Sequence, residues 1–218
     1  MSIVELRREG EVFVLSMRAG ENRFNRDFVD AVNAALDEVE KSTGPAALVT
    51  TGEGKFYSNG LDLAWMTAQA DAPAFVHDVE GVFARVLALP MITAAAINGH
   101  AFAAGAMLAL AHDYRVMRAD RGYFCLPEID IDIPFTPGMN AMIASRLSGP
   151  TLRETTLVGA RVGGTDAVRM GIVDEAVAEN EVLARAVSLV APHVGKTRAT
   201  MAAIKREQHK TTLDKLRG

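Results

Sequence analysis

The chain has 218 residues, 49% of them hydrophobic and 23% charged, which suits one domain with a substantial core and excludes a disordered chain. The net charge of −4 and the scattered basic residues argue against a nucleic-acid-binding surface, and no apolar run is long enough to span a membrane. The single cysteine excludes an intrachain disulfide framework, and the five histidines show no metal-ligand spacing. We therefore expect a cytoplasmic protein that contacts no membrane or nucleic acid and binds no metal.

The first half of the chain predicts strands that alternate with helices. Residues 3–6 and 12–17 read as two strands around a turn. The next segment, 25–40, has the apolar period of an amphipathic helix, which Asn25 can cap. Two short apolar runs, 46–51 and 92–97, predict buried strands.

The second half continues this alternation. It predicts strands at 114–117 and 123–126 and a helix at 139–147. Thr151 and Glu154 have the spacing of a capping box at the start of another helix. A short helix that ends at Gly171, a strand, and further helices from residue 180 complete the chain. The pattern predicts an α/β fold in one domain.

Two loops of small residues follow the buried strands and lead into helices. The first contains residues 58–62, Ser-Asn-Gly-Leu-Asp, and the second contains residues 103–106, Ala-Ala-Gly-Ala. Free backbone N–H groups at such positions are hydrogen-bond donors, and two of them aimed at one point would stabilise an oxyanion. The alternative is that both loops are ordinary, tightly packed turns between a strand and a helix.

The segments GKFYSNGLDLAWM, ITAAAINGHAFAAGAMLALAHDYRVM, LPEIDIDIPF and RMGIVDEAV, in this order, resemble the enoyl-CoA hydratase/isomerase family, also called crotonases. The resemblance implies a spiral of ββα turns over residues 1–177, with a helical C-terminal part at 178–218 that belongs to the same domain. It also implies an acyl-CoA substrate, no further cofactor, and assembly into a homotrimer or a dimer of trimers. The C-terminal part, which helps close the pocket and build the trimer in this family, is shorter than in most members.

The resemblance also implies roles for individual residues. The N–H groups of Asn59 and Ala104 would hold the thioester carbonyl in an oxyanion hole, although the family usually has a glycine at the second position. The sequence and the resemblance together give these further residues for substrate binding: Phe24, Phe56, Ser58, Gly60, Leu61, Asp62 and Gly105.

The residues that could transfer protons separate the possible reactions. Hydratases of the family use two glutamates around a water molecule, and the first of these positions holds Met107, which cannot activate water. The second position holds Glu128, in a Pro-Glu pair. One carboxylate beside an oxyanion hole suits a shift of a double bond, because the same group can remove the α-proton of a 3-enoyl thioester and return a proton at C4. The closest resemblance is to the monofunctional Δ3,Δ2-enoyl-CoA isomerases of fatty acid metabolism.

Several alternatives remain open at this stage. Glu128 could be a solvated surface carboxylate. Asp130 and Asp132 alternate with isoleucines in a strand-like period that would place them on the same face as Glu128, so one of them could act as a second acid. The protein could instead be a weak hydratase, a hydrolase or a decarboxylase for acyl-CoA, or an inactive subunit that binds CoA thioesters.

Overall fold

A computed structural model of the protein describes residues 2–218. The strands are β1 (Val4–Glu9), β2 (Val12–Met17), β3 (Ala47–Thr51), β4 (Phe56–Ser58), β5 (Ile92–Ile97), β6 (His100–Phe102), β7 (Tyr114–Arg118), β8 (Phe124–Cys125) and β9 (Glu175–Val177). The α-helices are α1 (Arg26–Lys41), α2 (Leu63–Met66), α3 (Ala72–Ala88), α4 (Ala104–Leu110), α5 (Pro137–Arg146), α6 (Gly149–Thr156), α7 (Gly164–Arg169), α8 (Val182–Val190), α9 (Arg198–Gln208) and α10 (Lys210–Arg217).

The strands form two sheets. The larger sheet has the order β1-β2-β3-β5-β7-β9, with β1 and β2 antiparallel and every other neighbouring pair parallel. The smaller sheet is parallel and has the order β4-β6-β8. In the chain, β3, β5 and β7 are each followed by one strand of the smaller sheet, and the chain then enters a helical segment. The predicted α/β fold with a spiral of ββα turns is therefore confirmed.

The helices bury the two faces of the larger sheet. Helix α1 begins after Asn25, whose side chain accepts the N–H of Phe28 at 3.0 Å, as predicted from the sequence. The main core lies between one face of the sheet and helices α1, α3, α4 and α5. On the opposite face, α8 covers small and β-branched side chains of β2, β3, β5 and β7. None of the helices within residues 2–218 is long and apolar enough to cross a membrane.

Two sequence predictions are wrong in this region of the fold. The segment from Pro127 to Ile131 is a 3₁₀ helix rather than a strand, so Glu128 is buried while Asp130 and Asp132 are exposed. Thr151 does not start a helix, because α6 already begins at Gly149 and the Thr151 hydroxyl donates to the carbonyl of Met170. Both errors arise because tertiary contacts override a local pattern.

The sequence pattern also missed elements. It predicted no helix at α3, and it treated β4 and β6 as loops because each has only three residues. These two short strands are decisive for the site, since each one ends where a loop of small residues begins.

Candidate functional site

A cavity of about 380 Å³ lies where the two small-residue loops, the Pro127–Ile131 helix and the N-terminus of α5 meet. Most of its lining is apolar. The residues that line it are Arg23, Asn59, Leu61, Leu63, Met66, Val76, Phe102, Ala103, Ala104, Met107, Pro127, Glu128, Ile131, Ile133, Pro134, Phe135, Thr136, Met139 and Arg161. The cavity therefore brings together three of the predicted chemical residues, Asn59, Ala104 and Glu128.

Glu128 is the single carboxylate that lines this cavity within residues 2–218. Only 7% of the residue is exposed, and its Oε2 atom has no hydrogen-bond partner in the described chain. Burial disfavours the ionised form and raises the pKa of Glu128 to about 7. A carboxylate with this pKa is present in both protonation states near neutral pH, as a group that takes up and releases protons requires.

The first loop corrects one predicted hydrogen-bond donor. The backbone N–H of Asn59 already donates to the carbonyl of Glu21 at 2.9 Å, and its side-chain amide donates to the Glu21 carboxylate at 2.8 Å. It is therefore not free to hold a substrate oxygen. Two residues later, the N–H of Leu61 has no acceptor among residues 2–218, and Leu61 lines the cavity. The structure thus moves the predicted donor from Asn59 to Leu61.

Phe24 explains why the first loop holds this shape. Its N–H donates to the carbonyl of Gly60 at 2.8 Å, and its carbonyl accepts the N–H of Asp62 at 2.9 Å. These two bonds use the groups on one side of the loop and leave the N–H of Leu61 directed to the other side. Asp62 also caps α2 by accepting the N–H of Trp65 at 3.2 Å. The aromatic ring of Phe24 lies in the core, fully buried, rather than in the cavity.

The second loop supplies the other free donor. The N–H of Ala104, the first residue of α4, has no acceptor within the described chain, and no side chain caps this helix. The preceding residue, Ala103, has φ of +49° and ψ of −122°, a backbone region that favours glycine. A strained residue immediately before an unpaired donor, beside a cavity, is typical of a functional site.

Two glycines allow the loops to approach each other. At Gly60, a Cβ atom would lie 2.8 Å from the Cβ of Ala103 and 3.4 Å from the backbone nitrogen of Ala104. At Gly105, a Cβ atom would collide with the carbonyl of Ser58. Glycine at both positions therefore lets the two loops pack closely, and Leu61 and Ala104, whose N–H groups are free, both line the cavity. Such a pair can hold one developing negative charge.

The other predicted contact residues do not line the cavity. Ser58 is fully buried, and its hydroxyl donates to the carbonyl of Asn22 at 2.7 Å. Phe56 packs beside the ring of His100 at a centroid distance of 5.5 Å. Gly60, Asp62 and Gly105 shape the loops from behind, as Phe24 does. Of the seven predicted substrate contacts, Leu61 alone reaches the cavity lining.

Met107 lies in the cavity lining and is almost fully buried. It therefore occupies the wall near the second loop without offering a proton donor or acceptor. The cavity lining also includes Arg23, Thr136 and Arg161, which no sequence pattern predicts. These three residues lie far apart in the sequence, and only the folding of the chain brings them to the same cavity.

Two basic residues near the C-terminus, Arg198 and Lys205, make contacts within the fold. Lys205 is 4% exposed, and its Nζ atom lies 2.6 Å from Asp113 Oδ2 and 2.8 Å from the carbonyl of Met91. Lys205 is therefore held in the interior by Asp113 and is not available to a ligand at the surface. Arg198 is bonded to Ser42 and joins α9 to the end of α1.

The sequence matches a known family over nearly its whole length. A sequence model of the enoyl-CoA hydratase/isomerase family matches residues 7–217. Enoyl-CoA delta isomerase 3 of Arabidopsis thaliana is 40% identical over 179 residues, which cover 78% of this chain and 75% of the relative. The peroxisomal enoyl-CoA delta isomerase 2 of the same plant is 39% identical over 186 residues, covering 81% of this chain and 78% of the relative.

The structural comparison extends over nearly the whole chain. An enoyl-CoA isomerase of Mycobacterium tuberculosis, solved without ligand, superposes with a TM-score of 0.91 at 28% identity and covers 99% of this chain and 95% of its own. A family protein from Pseudomonas syringae gives a TM-score of 0.91 at 27% identity, covering 98% of this chain and 93% of its own. Together with the two loops and the ββα spiral, these matches show that the chain belongs to the enoyl-CoA hydratase/isomerase family.

Proposed function

We propose that this protein converts a 3-enoyl-CoA to the conjugated 2-enoyl-CoA. The observation that carries the proposal is that three residues line one apolar cavity: Glu128, a buried carboxylate with one unpaired oxygen, and Leu61 and Ala104, whose backbone N–H groups are unpaired. Membership of the family supports a crotonase-type reaction on an acyl-CoA, and the similarity to plant enoyl-CoA delta isomerases favours the double-bond shift.

The residues divide the reaction between them. The N–H groups of Leu61 and Ala104 donate to the thioester oxygen, which makes the protons on C2 more acidic. The Glu128 carboxylate removes one of these protons and leaves a dienolate whose charge rests on that oxygen. A proton added at C4 then moves the double bond to C2–C3, and protonated Glu128 is one source of that proton. The apolar lining strengthens both steps, because charges interact more strongly where water is excluded.

Hydration of a 2-enoyl-CoA is a poorer match to the site. It requires one group to activate the water and another to protonate the substrate, and Met107 supplies neither. Glu128 is the single carboxylate of the cavity within the described chain. We therefore expect isomerisation to exceed hydration clearly.

The test is to mix the purified protein with a cis-3-enoyl-CoA and to follow the absorbance of the conjugated thioester. Glu128→Gln should slow the reaction about a thousandfold, because it removes the base and keeps the shape of the side chain. Asp130→Asn is the matched control, since Asp130 lies on the same 3₁₀ helix but is exposed, and it should retain activity. The rate of the unchanged protein should rise with pH around a midpoint near 7, as Glu128 ionises.

Other outcomes identify the other reactions. Release of free thiol would indicate a hydrolase, and loss of a 2-enoyl-CoA would indicate a hydratase. Binding of acyl-CoA without any turnover would indicate an inactive subunit. Trimeric assembly, a cytoplasmic location and independence from any cofactor stay predictions, which size measurements, fractionation and assays of the metal-free protein can test.

A further inference from the structure

Exposed apolar side chains are concentrated beside Glu128. Eight large apolar side chains within residues 2–218 are exposed, and four of them lie around this carboxylate: Ile129, Ile131, Ile133 and Leu157. Leu157, at 69%, is the most exposed of the eight. Single exposed apolar side chains are common, whereas a cluster of them marks a surface that another molecule covers.

Three of these side chains, Ile129, Ile133 and Leu157, line a second cavity of about 470 Å³, here called the outer groove. It lies between the Pro127–Ile131 helix and the end of α6. At Gly159, a Cβ atom would lie 2.8 Å from Asp130 Oδ2 and 3.1 Å from Ile129 Cγ2. The glycine therefore lets the chain that follows α6 pack against the 3₁₀ helix, and this contact brings Leu157 to the same groove as Ile129.

The outer groove is continuous with the cavity that Leu61 and Ala104 line. Both spaces are lined by Glu128 and by the segment 133–135, Ile-Pro-Phe. Ile133 and Pro134 are exposed, so the two spaces meet along a ridge at the protein surface rather than across the interior. Glu128 lies where they meet. When C2 and C4 of a substrate lie beside this carboxylate, the later carbons of its chain can therefore enter the groove.

The polar groups of the groove indicate the chemistry of its ligand. No basic side chain lines it within residues 2–218, and its one charged residue besides Glu128 is Asp132, which is exposed. The hydroxyl of Thr156 already donates to the carbonyl of Leu152 at 2.7 Å. A ligand that ended in a carboxylate would meet the like charge of Asp132, so the groove favours an uncharged hydrocarbon.

We propose that the outer groove binds the distal part of a long acyl chain and that Leu157 and Ile129 are specificity-determining residues for chain length. This inference rests on the proposed isomerase function and names its substrate class, a long-chain 3-enoyl-CoA that ends in a hydrocarbon. The first cavity holds the thioester and the reacting carbons, and the chain crosses the ridge at Ile133 into the groove. There it covers apolar side chains that are otherwise in contact with water, which strengthens binding.

The experiment measures kcat/KM for a series of cis-3-enoyl-CoAs. As the chain lengthens from about six to about sixteen carbons, kcat/KM should rise about fourfold for each methylene that enters the groove. Leu157→Ser should lower the ratio of kcat/KM for the longest chain to that for the shortest about tenfold, because it removes an apolar contact of the groove. Since Leu157 is 69% exposed, its replacement should leave the fold intact.

A second measurement tests the charge of the groove. A long chain that ends in a carboxylate should react more slowly than the hydrocarbon chain of the same length, and Asp132→Asn should reduce this difference. Asparagine tolerates the φ of +55° at this position, so the variant changes the charge and keeps the backbone. A carboxylate chain that reacts as fast as the hydrocarbon chain would contradict the proposed ligand.

Ile204→Ser is the matched control, because Ile204 is also exposed, lies on α9 and lines neither cavity. If Leu157→Ser and Ile204→Ser give the same dependence on chain length, the inference is overturned while the isomerase function stands. The same conclusion follows if Leu157→Ser changes only the oligomeric state in sedimentation, since the groove would then be a contact between copies of the chain. If the unchanged protein forms no conjugated thioester from any chain, both proposals are overturned.

Discussion

The two ends of α4 differ in how their polar groups are satisfied. At the N-terminal end, the N–H of Ala104 has no acceptor in residues 2–218, and the Oε2 atom of Glu128, which lines the same cavity, has no hydrogen-bond partner there. At the C-terminal end, Arg146 donates to the carbonyls of Leu110 and His112, and Arg115 donates to the second of these at 3.0 Å. Buried polar groups are almost always paired, so an end that leaves them unpaired is available for a ligand.

The C-terminal end continues into a buried chain of hydrogen bonds. The Nδ1 atom of His112 is 2.8 Å from the carbonyl of Leu108, which can only accept, so Nδ1 carries the hydrogen. Its Nε2 atom then accepts from the hydroxyl of Thr50, and Thr50 in turn accepts from Tyr57. Each group has a partner, and the chain ties α4 to β3 and to β4, the strand that leads into the first loop. One end of the helix is thus fixed by hydrogen bonds, and the other leaves polar groups free beside the cavity.

The largest effect on stability should come from the C-terminal end of α4, where the polar groups have hydrogen-bond partners. Lys205→Met removes one partner of the buried pair with Asp113 and should lower the free energy of unfolding by about 3 kcal/mol. Chemical denaturation measures this loss. Arg206→Met, one residue later on α9 and exposed, is the control and should change stability little. A loss below about 1 kcal/mol for Lys205→Met would contradict the assignment of this pair as a structural contact.

The groups near the two ends of α4, His112 and Glu128, should make the free energy of unfolding depend on pH in opposite directions. Burial lowers the pKa of His112 from 6.5 to about 4, so the unfolded chain binds more protons between these values and stability rises with pH. Burial raises the pKa of Glu128 from 4.5 to about 7, so the folded chain binds more protons there and stability falls as pH rises. Each contribution amounts to about 3 kcal/mol, and between pH 4.5 and 6.5 the two oppose each other.

Single variants separate these contributions. In Glu128→Gln, the free energy of unfolding should rise between pH 4 and 6.5, because the His112 contribution is no longer opposed. In His112→Gln, it should fall between pH 4.5 and 7. Denaturation at several pH values measures both slopes relative to the unchanged protein. Equal slopes in all three proteins would show that burial does not shift these two groups as described.

The smallest expected effect concerns the backbone strain at Ala103, beside the N-terminal end of α4. Ala103→Gly should raise the free energy of unfolding by about 1 kcal/mol, because glycine adopts a φ of +49° without steric cost. The midpoint of urea denaturation measures the gain. Ala101→Gly, in the buried strand β6 where no such φ occurs, should lower stability and serves as the control. A loss at Ala103 as large as that at Ala101 would argue against backbone strain.

The α/β architecture can be predicted from the sequence, because buried strands and amphipathic helices follow from the spacing of apolar residues, as in α1 and β5. The sequence also indicates Glu128 and the two loops, through local patterns and the family resemblance. Which backbone N–H groups lack a hydrogen-bond acceptor depends on the folded chain. The N–H of Asn59 is used by Glu21, a residue far away in the chain, whereas the N–H of Leu61 is not.

The same reason governs the remaining differences. Spacing placed residues 128–132 on a strand, but contacts around the cavity wall make a 3₁₀ helix that buries Glu128 and exposes Asp130. No sequence pattern marks Glu80, whose carboxylate is buried and accepts a hydrogen bond from the cavity-lining Thr136. It meets Thr136 only because α3 packs beside the start of α5. Hydrogen-bond partners and burial depend on residues distant in the chain, and local sequence patterns do not contain that information.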